Sequence, residues 1–219
     1  MSSDLQARYD AVRREMVEQY QRTAALENHG LLYTLFGWQF LAACFLAYYC
    51  LHVLDLQWRP LYFTIKVAQI LLFVVTIRLV IGKRTGDRSP LELISKRLWI
   101  VYLLLCINID FLNVVAGKPI ATHLPALAVL SSFAFSFMTA MFSRRFMLAG
   151  NLMVPAGILM AIYADYAQLI YGVAWLVILQ GLGLWFWLDR KRWMDKSERA
   201  DHSAAPQNFN RRSESAPAT

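Results

Sequence analysis

Six long apolar runs separated by short polar breaks dominate the chain: 29–54, 61–82, 98–117, 124–143, 146–165 and 166–188. Each is close to the ~20 residues that cross a hydrocarbon core of about 30 Å at about 1.5 Å of rise per residue. Barrel strands would be half as long and would alternate in polarity. The pattern predicts an all-α integral membrane protein: a six-transmembrane-helix bundle over 29–188, with flanking segments 1–28 and 189–219.

The flanks read differently. Leu5, Tyr9, Val12, Met16, Tyr20 and Ala24 fall on one helical stripe, and Asp4, Arg8, Asp10, Arg14, Glu18 and Arg22 alternate in sign on the other faces. A lipid-anchoring helix is usually basic on its polar face. This mixed one predicts a helix that docks on a protein partner or self-associates, or one that simply continues the first span into solvent. After about residue 200 the composition turns to Ser, Ala, Pro and Asn, which predicts disorder. Between the second and third runs, Ser89-Pro90-Leu91-Glu92 forms a capping box and starts the third helix near Pro90.

Composition agrees with the runs. Of 219 residues, 58% are hydrophobic and 17% charged, where a soluble domain carries about a quarter charged. A soluble enzyme, a secreted disulfide scaffold and a disordered chain are excluded. Segments 1–28, 83–97, 144–145 and 189–219 hold every one of the 22 Lys and Arg except Arg59, Lys118, Lys66 and Arg78. That asymmetry places both termini in the cytoplasm, and the abundance of Arg suits a bacterial inner membrane. Trp58, Tyr62, Tyr163 and Tyr166 mark the outer interface, and Trp99, Trp185 and Trp187 the inner one. The net charge of +7 then belongs to topology and anionic lipid, with no nucleic-acid partner expected. The first apolar run starts too late for a cleavable leader and acts as its own signal anchor.

Candidate chemistry lies in the polar groups within the runs, because ionisable residues in the bilayer are costly. Arg78 is near the end of its run and can snorkel. Lys66 and Asp110 lie about 8 and 10 Å below the outer ends of their helices, so the sequence predicts a Lys66–Asp110 ion pair. Asn108, Asn113 and Gln69 are placed to extend it. Such a pair serves a relay or solute pocket, or else fixes helix register. Gln39 and Gln180 share a depth and are expected to hydrogen-bond between the first and last spans. Ala128, Ser132, Ser136 and Ala140 form a small-residue stripe for a close helix contact, within the bundle or with another subunit. Pro155 beside Gly157 is expected to kink the fifth span.

Cys44, Cys50 and Cys106 lie inside runs with no CxxC pairing and read as buried thiols. An outer metal site of His52, Asp55 and His123 is conceivable, but solvated boundary residues are the simpler reading. No catalytic motif, metal site or cofactor site is expected, and a membrane enzyme or haem protein is the weakest of the classes considered. The sequence points first to a non-catalytic accessory or partner-binding subunit of a membrane complex, embedded in lipid. That subunit would act through the Ala128–Ala140 stripe and the N-terminal helix. The alternative is a small-solute or ion transporter or channel centred on Lys66 and Asp110.

Overall fold

The computed structural model describes residues 4, 6–8, 11–12, 14–16, 18, 28–55, 59–81 and 90–213. Among these the chain is helical, and six helices are long and apolar enough to cross a membrane. Helix α1 spans His29–Tyr48 and continues as a π-helical turn, Tyr49–Val53. Then follow α2 (Arg59–Ile81), α3 (Pro90–Val115), a 3-10 turn Ile120–His123, α4 (Leu124–Met141), α5 (Arg145–Ile162), a 3-10 turn Ala164–Tyr166 and α6 (Ala167–Ser213). Connections near 55, 116–123 and 163–166 share one end of the bundle, called here the short-loop end. The opposite, basic end carries 142–144 and the continuation of α6.

Helix α3 begins at Pro90, where proline's fixed φ and missing N–H suit a first turn. Ser89 of the expected capping box lies outside the described residues. Pro155 stands inside α5 on an exposed face, and the helix runs through it to Ile162. Helix α6 departs from expectation at the other flank. It continues to Ser213, through the stretch whose composition predicts disorder. Once a helix is nucleated, each added residue gains a hydrogen bond for one residue fixed, which lets α6 propagate beyond its apolar part, although Pro206 within the extension has no N–H to contribute.

Close packing decides the architecture. In lipid there is no hydrophobic drive between helices, so contact depends on small residues that let backbones approach. The tightest pair is α1 with α6, the first span with the last. A Cβ on Gly30 would stand 2.8 Å from the Gly183 carbonyl oxygen, and one on Gly172 would stand 2.7 Å from the Cys44 Cβ. Helix α4 packs on α5 in the same manner. A Cβ on Gly150 would meet the Ser132 carbonyl at 3.2 Å, one on Gly157 would meet the Ala128 Cβ at 3.3 Å, and the Ser132 hydroxyl donates to the Gly150 carbonyl at 2.9 Å. The expected small-residue stripe is therefore used inside the chain. Ser136 and Ala140 lie at its exposed edge. Phe135, Met138, Phe146, Met153 and Met160 fill the core between α4, α5 and α6.

Helices α2 and α3 are attached to one side only. Helix α2 packs on α1 and α3 on α4, and the two are not closely packed on each other. Most of their apolar surface, such as Leu71, Leu79, Leu112 and Val115, faces outward. The expectation that these sequential helices lie side by side is thus corrected. Tyr171 of α6 reaches toward both: it hydrogen-bonds Tyr102 on α3 at 3.4 Å and is an electrostatic neighbour of Lys66 on α2.

On the N-terminal segment, Asp4 pairs with Arg8 at 3.4 Å in i,i+4 register. Val12 is exposed, and Met16 is half-buried against the core. Leu5, Tyr9 and Tyr20 of the expected docking stripe lie outside the described residues.

Candidate functional site

The site is built by the way α3 ends. Gly117 takes φ +69, the N–H of Gly117 bonds the Val114 carbonyl at 3.0 Å, and the N–H of Lys118 bonds the Asn113 carbonyl at 3.2 Å. This is a Schellman stop, in which a glycine at the left-handed position closes the helix. Pro119 follows and prevents resumption. Asn113, buried, then pins the returning loop. Its Nδ2 donates to the Pro119 carbonyl at 3.1 Å, and its Oδ1 accepts from the Thr122 hydroxyl at 3.1 Å. The 3-10 turn delivers His123 directly into the start of α4, where Pro125 sits in the first turn.

His123 therefore lies against the side of α3. Its Nε2 is 2.6 Å from Oδ1 of Asp110, and both side chains are only 5% exposed. The approach is off the line of a ring N–H, so the two make a close polar contact short of an aligned hydrogen bond. The Tyr62 hydroxyl, from α2, stands 3.3 Å from the same Nε2. The Lys66 ammonium lies over the Tyr62 ring, 5.4 Å from its centroid. Asp110, Tyr62 and Tyr171 are its electrostatic neighbours, with Cys44 on α1 beyond. The expected Lys66–Asp110 pair is corrected accordingly: the partner in contact with Asp110 is His123, and Lys66 joins the cluster through Tyr62.

The other expected members separate. Gln69, one turn from Lys66, is buried, and its Nε2 has no hydrogen-bond partner. Asn113 acts by holding the loop. Asn108 is exposed and donates to the Leu104 carbonyl of its own helix at 2.9 Å. Two residues along a helix turn about 200°, so Asn108 points away from Asp110, whereas Asn113, three residues on, shares its face. Asp110 Oδ1, His123 Nδ1 and Gln168 Oε1 are likewise buried without an aligned hydrogen-bond partner. Such atoms are commonly satisfied by water or by a ligand.

Two turns closer to the basic end three hydroxyls satisfy one another. The Ser131 hydroxyl donates to the Leu127 carbonyl at 2.7 Å, and the Tyr102 hydroxyl stands 2.8 Å from Ser131 and 3.4 Å from Tyr171. Below this hydroxyl triad the core is aromatic. Phe40, Trp99 and Phe135 surround Trp175, with ring centroids 5.2, 6.4 and 5.5 Å from it. The polar groups of the site therefore extend from the short-loop end to the triad, with an aromatic layer beneath them.

Gln39 and Gln180 bond elsewhere than to each other. Gln39 donates to the Thr76 hydroxyl on α2 at 2.6 Å, and Gln180 donates to the Thr34 carbonyl on α1 at 3.0 Å. The α1–α6 backbones are so close that the Gln180 amide reaches the main chain first. At the basic end the Arg145 guanidinium lies over the Trp185 ring at 4.8 Å and pairs with Asp189 at 3.7 Å. His52 is exposed, and its ring lies tilted against that of Tyr48, centroids 4.9 Å apart. Among the described residues, no three His, Cys, Asp or Glu gather closely enough to hold a metal ion.

His123, Tyr62 and the hydroxyl triad are members that sequence reasoning missed. The helix stop at Gly117-Lys118-Pro119 was the available signal for His123, because it turns the chain back within a few residues onto the face it has just left. No protein-family model matches the chain, and neither a curated protein nor a solved structure matches it.

Proposed function

We propose that this chain is a membrane transport protein that handles an ion or small polar solute at the site formed by Tyr62, Lys66, Asp110 and His123. The observation that supports the reading is the Asp110–His123 contact, buried at the junction of two thinly attached helices with Lys66 beside it. Charged groups within a bilayer are costly, and they recur on substrate and ion pathways. The partner-binding alternative loses one of its two supports, because α5 occupies the small-residue face of α4. The other support, the N-terminal helix with its exposed Val12, remains. Both termini lie in the cytoplasm of a bacterial inner membrane in this reading, with the short-loop end outward, following the distribution of Lys and Arg.

Charge movement in proteoliposomes on a solid-supported membrane tests it, with a panel of monovalent ions, amino acids and sugars applied in turn. The expected result is a transient with at least one of them, reduced at least about tenfold in Asp110→Asn while elution and thermal unfolding stay those of the wild type. Silence across the panel, together with a stoichiometric protein partner that is lost when residues 2–24 are deleted, would make the chain an accessory subunit instead.

A further inference from the structure

The charges around the Asp110–His123 contact restrict what the site can accept. The ammonium of Lys66 belongs to the same cluster and opposes a second metal or organic cation, and the Asp110 carboxylate opposes an anion. The other titratable side chains around the pair and Lys66 are the phenols of Tyr62 on α2 and Tyr171 on α6 and the thiols of Cys44 on α1 and Cys106 on α3, none of which adds a positive charge. A proton escapes both objections. It needs no coordination shell, and it removes the carboxylate's charge rather than adding a body beside it.

The geometry supplies a route for that proton. We propose that the species taken up at this site is the proton, exchanged with the solution at the short-loop end through the His123 imidazole and held on Asp110. His123 directly follows Thr122, which is exposed, so the ring lies one residue from the solvent-facing loop. Its Nδ1 is buried with no protein partner, and its Nε2 is 2.6 Å from the carboxylate. A solution proton arrives as hydronium and binds Nδ1, the hydronium leaving as water. A small turn of the ring then lines its Nε2–H up with Oδ1, and that proton passes to the carboxylate. The ring is neutral before and after, its tautomer exchanged, while the carboxylate becomes a carboxylic acid. Release is the same transfer in reverse. Only water takes part besides the two side chains. Among the unpartnered buried atoms on the helices that carry the site and on α6 are Gln69 Nε2, a donor, and Gln168 Oε1, an acceptor, groups that water satisfies. Neutralising Asp110 weakens its attraction for Lys66, the electrostatic link between α3 and α2, which do not pack on each other.

This inference rests on the transport reading, and the experiment separates the two. The full-length protein is reconstituted in vesicles of phosphatidylethanolamine and phosphatidylglycerol with a trapped pH-sensitive dye. A potassium gradient with valinomycin drives proton entry, with and without the solute panel, while charge movement is recorded on the same preparation. Wild type is expected to acidify at least roughly tenfold faster than empty vesicles, Asp110→Asn to fall to the empty-vesicle rate, Asp110→Glu to recover part, and His123→Gln to slow exchange. A folded Asp110→Asn that acidifies like wild type overturns the proposal. Charge movement without acidification under any condition overturns the proton and leaves transport standing, and silence in both overturns both. If Asp110→Asn does not fold, infrared difference spectra of the wild type decide: a carboxyl C=O band that grows on acidification and shifts in Asp110→Glu supports the assignment, and no such band overturns it.

Discussion

Asn113 and Gly117 touch neither Lys66 nor the Asp110 carboxylate in any described hydrogen bond, yet His123 reaches Asp110 because of them. A Cβ on Gly117 would meet nothing within 4 Å, so the cost of Gly117→Ala is the backbone conformation alone, about 1–2 kcal/mol for a residue held left-handed. Asn113→Leu removes two hydrogen bonds to the loop, at about 1 kcal/mol each. Thermal unfolding in detergent is expected to drop for each single variant, and the double variant to lose less than the sum, since both residues hold one turn. Strict additivity would mean that the two act on separate structures. At this scale the sequence reveals which residues are expensive and conceals which ones they meet. Lys66 and Asp110 stand out as charges in apolar runs, but the partner of Asp110 arrives on a loop whose return is fixed by the helix stop at Gly117. Asn108 escapes the cluster for a simpler reason: a shared depth in the bilayer says nothing of the rotation about the helix axis.

Between helices, glycine placement predicts sharply different outcomes for similar substitutions. A Cβ on Gly183 would lie 2.6 Å from the Thr34 hydroxyl and 2.9 Å from the Gly30 carbonyl, so Gly183→Ala must push α6 off α1, at about 1–3 kcal/mol. Gly181, two residues away, is exposed with nothing within 4 Å, and Gly181→Ala is expected to be neutral or to stabilise by up to about 1 kcal/mol through helix propensity. Unfolding midpoints of the two variants measured side by side check this, and equal shifts would refute the close α1–α6 seam. Six spans were legible from run length, and the start of α3 from Pro90. The helix partners were not. The stripe on α4 was visible as a spacing of four, but Gly30 and Gly37 on α1 and Gly172 and Gly183 on α6 become a matched set only once the first and last spans are known to meet.

For the molecule as a whole, the positive-inside reading assigns each end of the bundle to one side, and this is directly measurable. In intact cells, Lys118→Cys at the short-loop end is expected to react with a membrane-impermeant maleimide, and Arg144→Cys at the basic end only after permeabilisation; both positions are exposed. The opposite pattern would invert the proposed topology and put the polar site on the cytoplasmic side. The six spans made this level of organisation the most legible of all, because a bilayer imposes one length on every span. The extent of α6 was less so, since composition alone speaks for a free tail and not for a helix already propagating into it. The seam between α1 and α6 also has a consequence for biogenesis. The helix that leaves the ribosome first waits in lipid until the last one has been made. A chain interrupted before residue 167 therefore presents an unmatched glycine face, the mark by which a membrane protease can tell an unfinished product from a finished one.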